Sequence, residues 1–292
     1  MSAFKGTGVA MVTPFDTNHR VDEKSLEALT NHLIAGGVDY LVVQGTTGEA
    51  ATLSAEEKQR VLSLVVETVA GRVPVVWGHG GNNTAALIRA FEHISLDGVS
   101  AILSASPYYN KPTQAGIVAH YTALADASPL PLILYNVPGR TASNMLADTT
   151  LKLADHQNII GIKEASGNLS QVGQIIKHRP EGFLVISGDD PLVVAHMAMG
   201  GDGVISVAAN AYPSLFSEMV KACDSGDYET ARNIHYGLVD LIDLLFAEGN
   251  PGGIKATLAE MGLIQNVLRL PLVRVSDELQ EKIKREIQRI GS

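Results

Sequence analysis

The stretch Asn158-Ile-Ile-Gly-Ile-Lys-Glu-Ala-Ser-Gly-Asn168 decides the architecture. Its apolar run, 159–163, does not alternate with polar residues, which suits a parallel strand covered on both faces. A lysine closes the run, and a polar loop leads into a helical pattern over 169–178. Upstream stand a second apolar run, 131–135, and a helical pattern over 144–154. Together these make a strand–helix–strand–helix unit. The same rhythm extends in both directions. Strands are expected at 8–13, 40–44, 73–77, 101–104, 131–135, 159–163, 183–187 and 203–206. Helical patterns at 22–35, 54–69, 82–94, 113–125, 144–154, 169–178, 191–199 and 213–223 separate or follow them. Eight strands, each followed by a helix, predict a TIM (β/α)₈ barrel with helices outside. A doubly wound sheet fits the periodicity too, but needs some of these strands to be wrong. Beyond Gly226 only helices are expected, at 228–246, 253–261 and 277–290. We therefore expect a barrel over 1–225 and a C-terminal helical extension over 226–292, packed on the barrel.

The 292 residues are 46% hydrophobic and 18% charged, enough to bury a large core. The formal net charge of -9, with no basic block, argues against nucleic acid or an anionic membrane as partner. Residues 1–8 lack the apolar core of a secretory signal, and no run reaches the roughly 18 residues of a membrane span. A cytoplasmic protein is expected. The single cysteine, Cys223, permits no intrachain disulfide and no cysteine metal cluster, and a buried helical thiol is expected. His79, in Trp77-Gly-His-Gly-Gly81, has no carboxylate–histidine set around it at metal-ligand spacing. Neither a metal site nor a hydrolytic triad is expected.

The ends of the expected strands carry the chemistry. Lys163 closes a strand where barrel active sites lie. Desolvated, its neutral amine would attack a keto carbon; turned outward, it would only reach solvent. Tyr135 closes the preceding strand and would sit beside it, either as a proton donor and acceptor or as an ordinary core tyrosine. Arg140, a few residues on, offers a planar fork for a carboxylate or a structural ion pair. Gly45-Thr-Thr-Gly-Glu49 offers N–H groups and the hydroxyls of Thr46 and Thr47, but lacks the lysine of a P-loop. Tyr108 and Tyr109 follow the fourth strand and face a site, the rim or a partner surface.

With these residues the sequence resembles the dihydrodipicolinate synthase family, within the N-acetylneuraminate lyase superfamily. The resemblance spans essentially the whole chain, including 8–15, 45–49, 107–110, 135–141, 161–164, 187–190, 203–209 and 250–255. It implies a TIM barrel with a helical extension, and a homotetramer built as a dimer of dimers. The implied reaction condenses pyruvate with L-aspartate-4-semialdehyde in diaminopimelate and lysine synthesis, without cofactor or catalytic metal. In that reading Lys163 forms an imine with pyruvate and Tyr135 moves protons. Thr47 links Tyr135 to Tyr109, which comes from a neighbouring subunit. Thr46 and Thr47 hold the pyruvate carboxylate, Gly188 and Ile205 line its pocket, and Arg140 holds the second substrate.

The resemblance also implies an effector site for lysine in many members. Asn82 and Tyr108 match it, whereas Ala55, Lys58 and Ala86 stand where two histidines and a glutamate are expected. Without that carboxylate, weak or absent lysine inhibition is expected. Two other functions use the same scaffold: a lyase or aldolase cleaving N-acetylneuraminate or a keto-deoxy sugar acid, and a noncatalytic metabolite-binding protein. Arg140, and threonine rather than serine at position 46, favour the synthase over the sialate branch.

Overall fold

The computed structural model describes residues 3–291; residues 1, 2 and 292, at the outer ends of the two expected regions, lie outside it. Eight parallel strands close into a barrel in chain order. They are β1 (Gly6–Ala10), β2 (Tyr40–Val43), β3 (Val75–Gly78), β4 (Ala101–Ala105), β5 (Leu132–Asn136), β6 (Ile159–Glu164), β7 (Leu184–Ser187) and β8 (Gly203–Ser206). Around them run α1 (Glu23–Ala35), α2 (Ala55–Val69), α3 (Thr84–Ala90), α4 (Gln114–Ala127), α5 (Pro138–Thr141), α6 (Ala147–Ala154), α7 (Leu169–His178), α8 (Val193–Ala198) and α9 (Pro213–Ser225). The extension adds α10 (Tyr228–Phe246), α11 (Gly252–Glu260) and α12 (Asp277–Ile290). Among the described residues no helix is long and apolar enough to cross a membrane.

The non-alternating strands have a simple cause. Within β2, Tyr40 and Val42 pack in the barrel interior, while Leu41 and Val43 pack outward against the helices. In β7, Leu184 and Ile186 face in and Val185 faces out. Both faces are dry, so both are apolar, and each fully buried aliphatic side chain contributes about 1.5–3 kcal/mol. At the bottom of the barrel the Tyr40 ring fills the axis and meets Phe4 edge-on at 5.7 Å. Gly8 makes this arrangement fit: a Cβ there would lie 2.3 Å from the Tyr40 ring.

Three of the expected elements shift by three residues or more at one end, and the short α5 is an addition to the expectation. β1 begins and ends earlier, because Val12 and Thr13 leave the ladder for side-chain bonds. The Val12 N–H donates to Asn210 Oδ1 at 3.2 Å and the Thr13 hydroxyl to the Gly48 carbonyl at 2.7 Å. α6 starts at Ala147 rather than Asn144, because Asn144 and Met145 are drawn into bonds with Asn136. α3 is shorter than expected: Asn83 caps its start by accepting from the Ala86 N–H.

Candidate active site

Tyr135 and Lys163 are register partners on adjacent strands. A register shift between Leu132 and Ile133 against β6 precedes them. Both side chains therefore emerge inside the barrel, at the C-terminal ends of the strands. Lys163 is 5% exposed and Tyr135 8%. Lys163 Nζ lies 4.5 Å from the centre of the Tyr135 ring. Among the described residues Nζ has no ion-pair or hydrogen-bond partner. A buried amine with an aromatic ring against it and no bonded partner is unusual, because lysine is rarely buried unpaired. Room for it comes from Gly188, where a Cβ would fall 2.8 Å from Lys163 Cε.

The next residues along the two strands, Asn136 and Glu164, are also register partners and are buried outside the barrel interior. Asn136 Nδ2 donates to both Glu164 oxygens at 3.1 and 3.0 Å. The same carboxylate accepts from Gln171 Nε2 at 2.9 Å and from the Ser166 N–H at 2.8 Å. This network fixes the strand ends that carry Tyr135 and Lys163.

These strand ends open onto a cavity of about 360 Å³. Thr46, Thr47, Tyr135, Arg140, Lys163 and Gly188 all line it, so six of the expected residues meet in one place. Thr47 is buried and Thr46 exposed on one short turn, and Arg140 stands exposed on α5 at the rim. Ile205 lies deeper, in the barrel interior with Tyr135, and Val207 takes the cavity wall at that strand end. Tyr109 does not line this cavity: it is 88% exposed, with a left-handed φ of 73°. Its neighbour Tyr108 is 44% exposed and accepts a 3.2 Å bond from Asn82 Nδ2 at its carbonyl. Ala55, at the start of α2, and Ala86, on α3, are exposed, and Lys58 is partly buried.

Sequence reading missed Asp189 and Asn250 on the cavity wall. Burial raises the Asp189 carboxyl above its usual range, and the nearby Lys163 charge pulls it back. Asp190 is buried, and the Val207 and Ala208 N–H groups donate to it at 3.0 and 2.9 Å, which ties the β7 and β8 loops together. The signal for both was an Asp pair directly after a strand. Asn250 lies 203 residues from its partner Thr47, beyond the reach of any local pattern. Among the described residues no cluster of three His, Cys, Asp or Glu side chains is arranged to hold a metal ion.

Residues 3–290 match the dihydrodipicolinate synthetase family. The chain belongs to that family. Among its relatives, the 4-hydroxy-tetrahydrodipicolinate synthase of Parabacteroides distasonis is 49% identical over 98% of this chain and 97% of its own length. That of Flavobacterium psychrophilum is 49% identical over 97% of each chain. The crystal structure of the Thermotoga maritima family member superposes with a TM-score of 0.97 at 38% identity, covering 99% of both chains. The family's shared length thus includes the C-terminal helices as well as the barrel.

Proposed function

We propose that the chain is a 4-hydroxy-tetrahydrodipicolinate synthase, which condenses pyruvate with L-aspartate-4-semialdehyde through a Schiff base on Lys163, in diaminopimelate and lysine synthesis. The observation that carries this is the buried, unpaired Lys163 amine against the Tyr135 ring, in a chain about half identical to synthases over nearly full length.

The chemistry follows from those groups. The Lys163 amine adds to the keto carbon of pyruvate, and loss of water leaves a protonated imine. The imine draws electrons from the neighbouring methyl group, which gives up a proton and becomes the enamine carbon. That carbon bonds to the aldehyde carbon, whose oxygen takes a proton. The α-amino group of the joined semialdehyde then adds to the imine carbon and the Lys163 nitrogen leaves with a proton, which closes a ring and regenerates the amine. Tyr135, at the amine, is the proton carrier of this scheme. Thr46 and Thr47 hold the pyruvate carboxylate, and Gly188 and Ile205 shape the space around it. Arg140, free of any ion pair among the described residues, holds the carboxylate of the semialdehyde.

In this reading Thr47 passes protons between Tyr135 and a Tyr109 donated by another subunit of a cytoplasmic homotetramer. The exposure and positive φ of Tyr109 support donation outward rather than use in its own chain. Lysine inhibits weakly or not at all, because Ala55, Lys58 and Ala86 offer no carboxylate to an effector ammonium.

Borohydride reduction in the presence of pyruvate tests the reading. A stable pyruvate adduct on Lys163, absent from Lys163→Ala, is the expected product, together with turnover of the semialdehyde in a coupled assay. An unmodified native chain would overturn it, and so would turnover of N-acetylneuraminate in place of the semialdehyde.

A further inference from the structure

The cavity wall across the barrel from Lys163 is held from far away in the chain. Thr47 Oγ1 accepts a 3.0 Å hydrogen bond from Asn250 Nδ2, and both residues are buried. This bond has a direction. A hydroxyl has one proton, and an oxygen that already receives the Asn250 amide leaves that proton free for another acceptor. The Asn250 Oδ1 atom is buried without a hydrogen-bond partner, so the amide meets Thr47 through its Nδ2 group.

The backbone fixes where Asn250 sits. Gly253 lets α11 press against α10: a Cβ there would lie 2.5 Å from the Leu245 carbonyl oxygen. Five residues beyond Asn250, the fully buried Lys255 pairs with Glu49, two residues beyond Thr47. The Lys255 ammonium also donates to the Val267 carbonyl at 2.9 Å and stands 4.2 Å from the Phe15 ring centre. The turn carrying Thr47 and the segment carrying Asn250 are thus joined at two points.

We infer that Asn250 is a positioning residue for the reaction. By donating to Thr47 Oγ1, it directs the Thr47 hydroxyl proton into the cavity, where that hydroxyl serves as donor. The inference rests on the proposed role of Thr47 in the condensation, and the test separates the two.

Asn250→Asp keeps the volume but presents a carboxylate that only accepts, so the Thr47 proton turns toward it and away from the cavity. Asn250→Ala removes the bond without creating that acceptor. The expected kcat/KM for condensation falls by about tenfold or more in Asn250→Asp. The fall in Asn250→Ala is smaller, whereas a packing role predicts the reverse order. In a Thr47→Val background, Asn250→Asp costs less than about twofold, because the hydroxyl it acts through is gone. The thermal midpoint and the far-ultraviolet circular dichroism spectrum report that each variant is folded. If Asn250→Asp does not fold, the same cycle run with Asn250→Ala decides. An equal loss with and without the Thr47 hydroxyl, or wild-type rates in the Asn250 variants, overturns the inference. Wild-type turnover in Thr47→Val overturns the role of Thr47 itself, and the inference with it.

Discussion

The two walls of the cavity are built by opposite means. The wall from β5 and β6 is local: neighbouring strands bring Tyr135 to Lys163, and the next pair, Asn136 and Glu164, locks their ends through uncharged donors around one carboxylate. The wall from the loop after β2 is remote. Its threonine is held by Asn250, and its Glu49, in a left-handed backbone conformation, by Lys255 and the Arg269 N–H at 3.1 Å. Arg269 also grips Glu57 with two guanidinium bonds of 2.7 and 2.6 Å and lies 4.3 Å from the centre of the Phe15 ring. Burial pulls the Lys255 ammonium below the usual lysine range, and Glu49 opposes that shift. A buried ion pair contributes little net stability but is costly to break on one side. The barrel alone thus forms the amine wall, whereas the hydroxyl wall depends on the extension.

Breaking the remote wall has the largest effect on stability. Lys255→Met leaves Glu49 buried and unpaired and is expected to cost about 3–5 kcal/mol in urea unfolding. Adding Glu49→Gln should recover part of that loss; a single variant within about 0.5 kcal/mol of wild type would dissolve the contrast between the walls. The local wall breaks less expensively. Glu164→Ala removes the charged acceptor that the Asn136 and Gln171 amides share, leaving them their bonds to Asn144 and Met145, and should cost about 2–3 kcal/mol. The trapped adduct should weaken along with stability, and a variant losing stability but not adduct would show that the network does not position Lys163.

A pH series tests a part of the molecule that belongs to neither wall. His120, 6% exposed, is pushed down to about 4 by burial, from 6.5. Between those values the unfolded chain binds a proton that the folded chain refuses, so stability falls as pH drops from about 6.5 to about 4. His120 alone accounts for a loss on the order of 2–3 kcal/mol over that window. His79, His196 and His235 shift in the same direction, also through burial. Denaturation midpoints of His120→Gln should show a flatter acid limb, and an unchanged slope would remove His120 from the account. The smallest effect is expected at the rim. Arg140→Ala should reduce condensation with the semialdehyde about tenfold, near 1.4 kcal/mol, while leaving pyruvate adduct formation intact. Equal loss in both assays would place Arg140 in the imine step instead.

The sequence alone determined the eight-stranded rhythm, because strands dry on both faces must be apolar throughout and helices between them must not. It also marked Lys163, Tyr135 and the Gly45–Glu49 loop as candidates at strand ends, where a solvent-facing lysine or an ordinary core tyrosine fits the same pattern. Only the tertiary structure decided that Lys163 Nζ has no ion-pair or hydrogen-bond partner among the described residues, that Gly188 makes space for it, and that Val207 joins the cavity wall. Asn250 and Lys255 were invisible as parts of the β2 loop, because their partners lie 203 and 206 residues away. Periodicity records which face of an element is buried; it does not record which distant polar group will be waiting there.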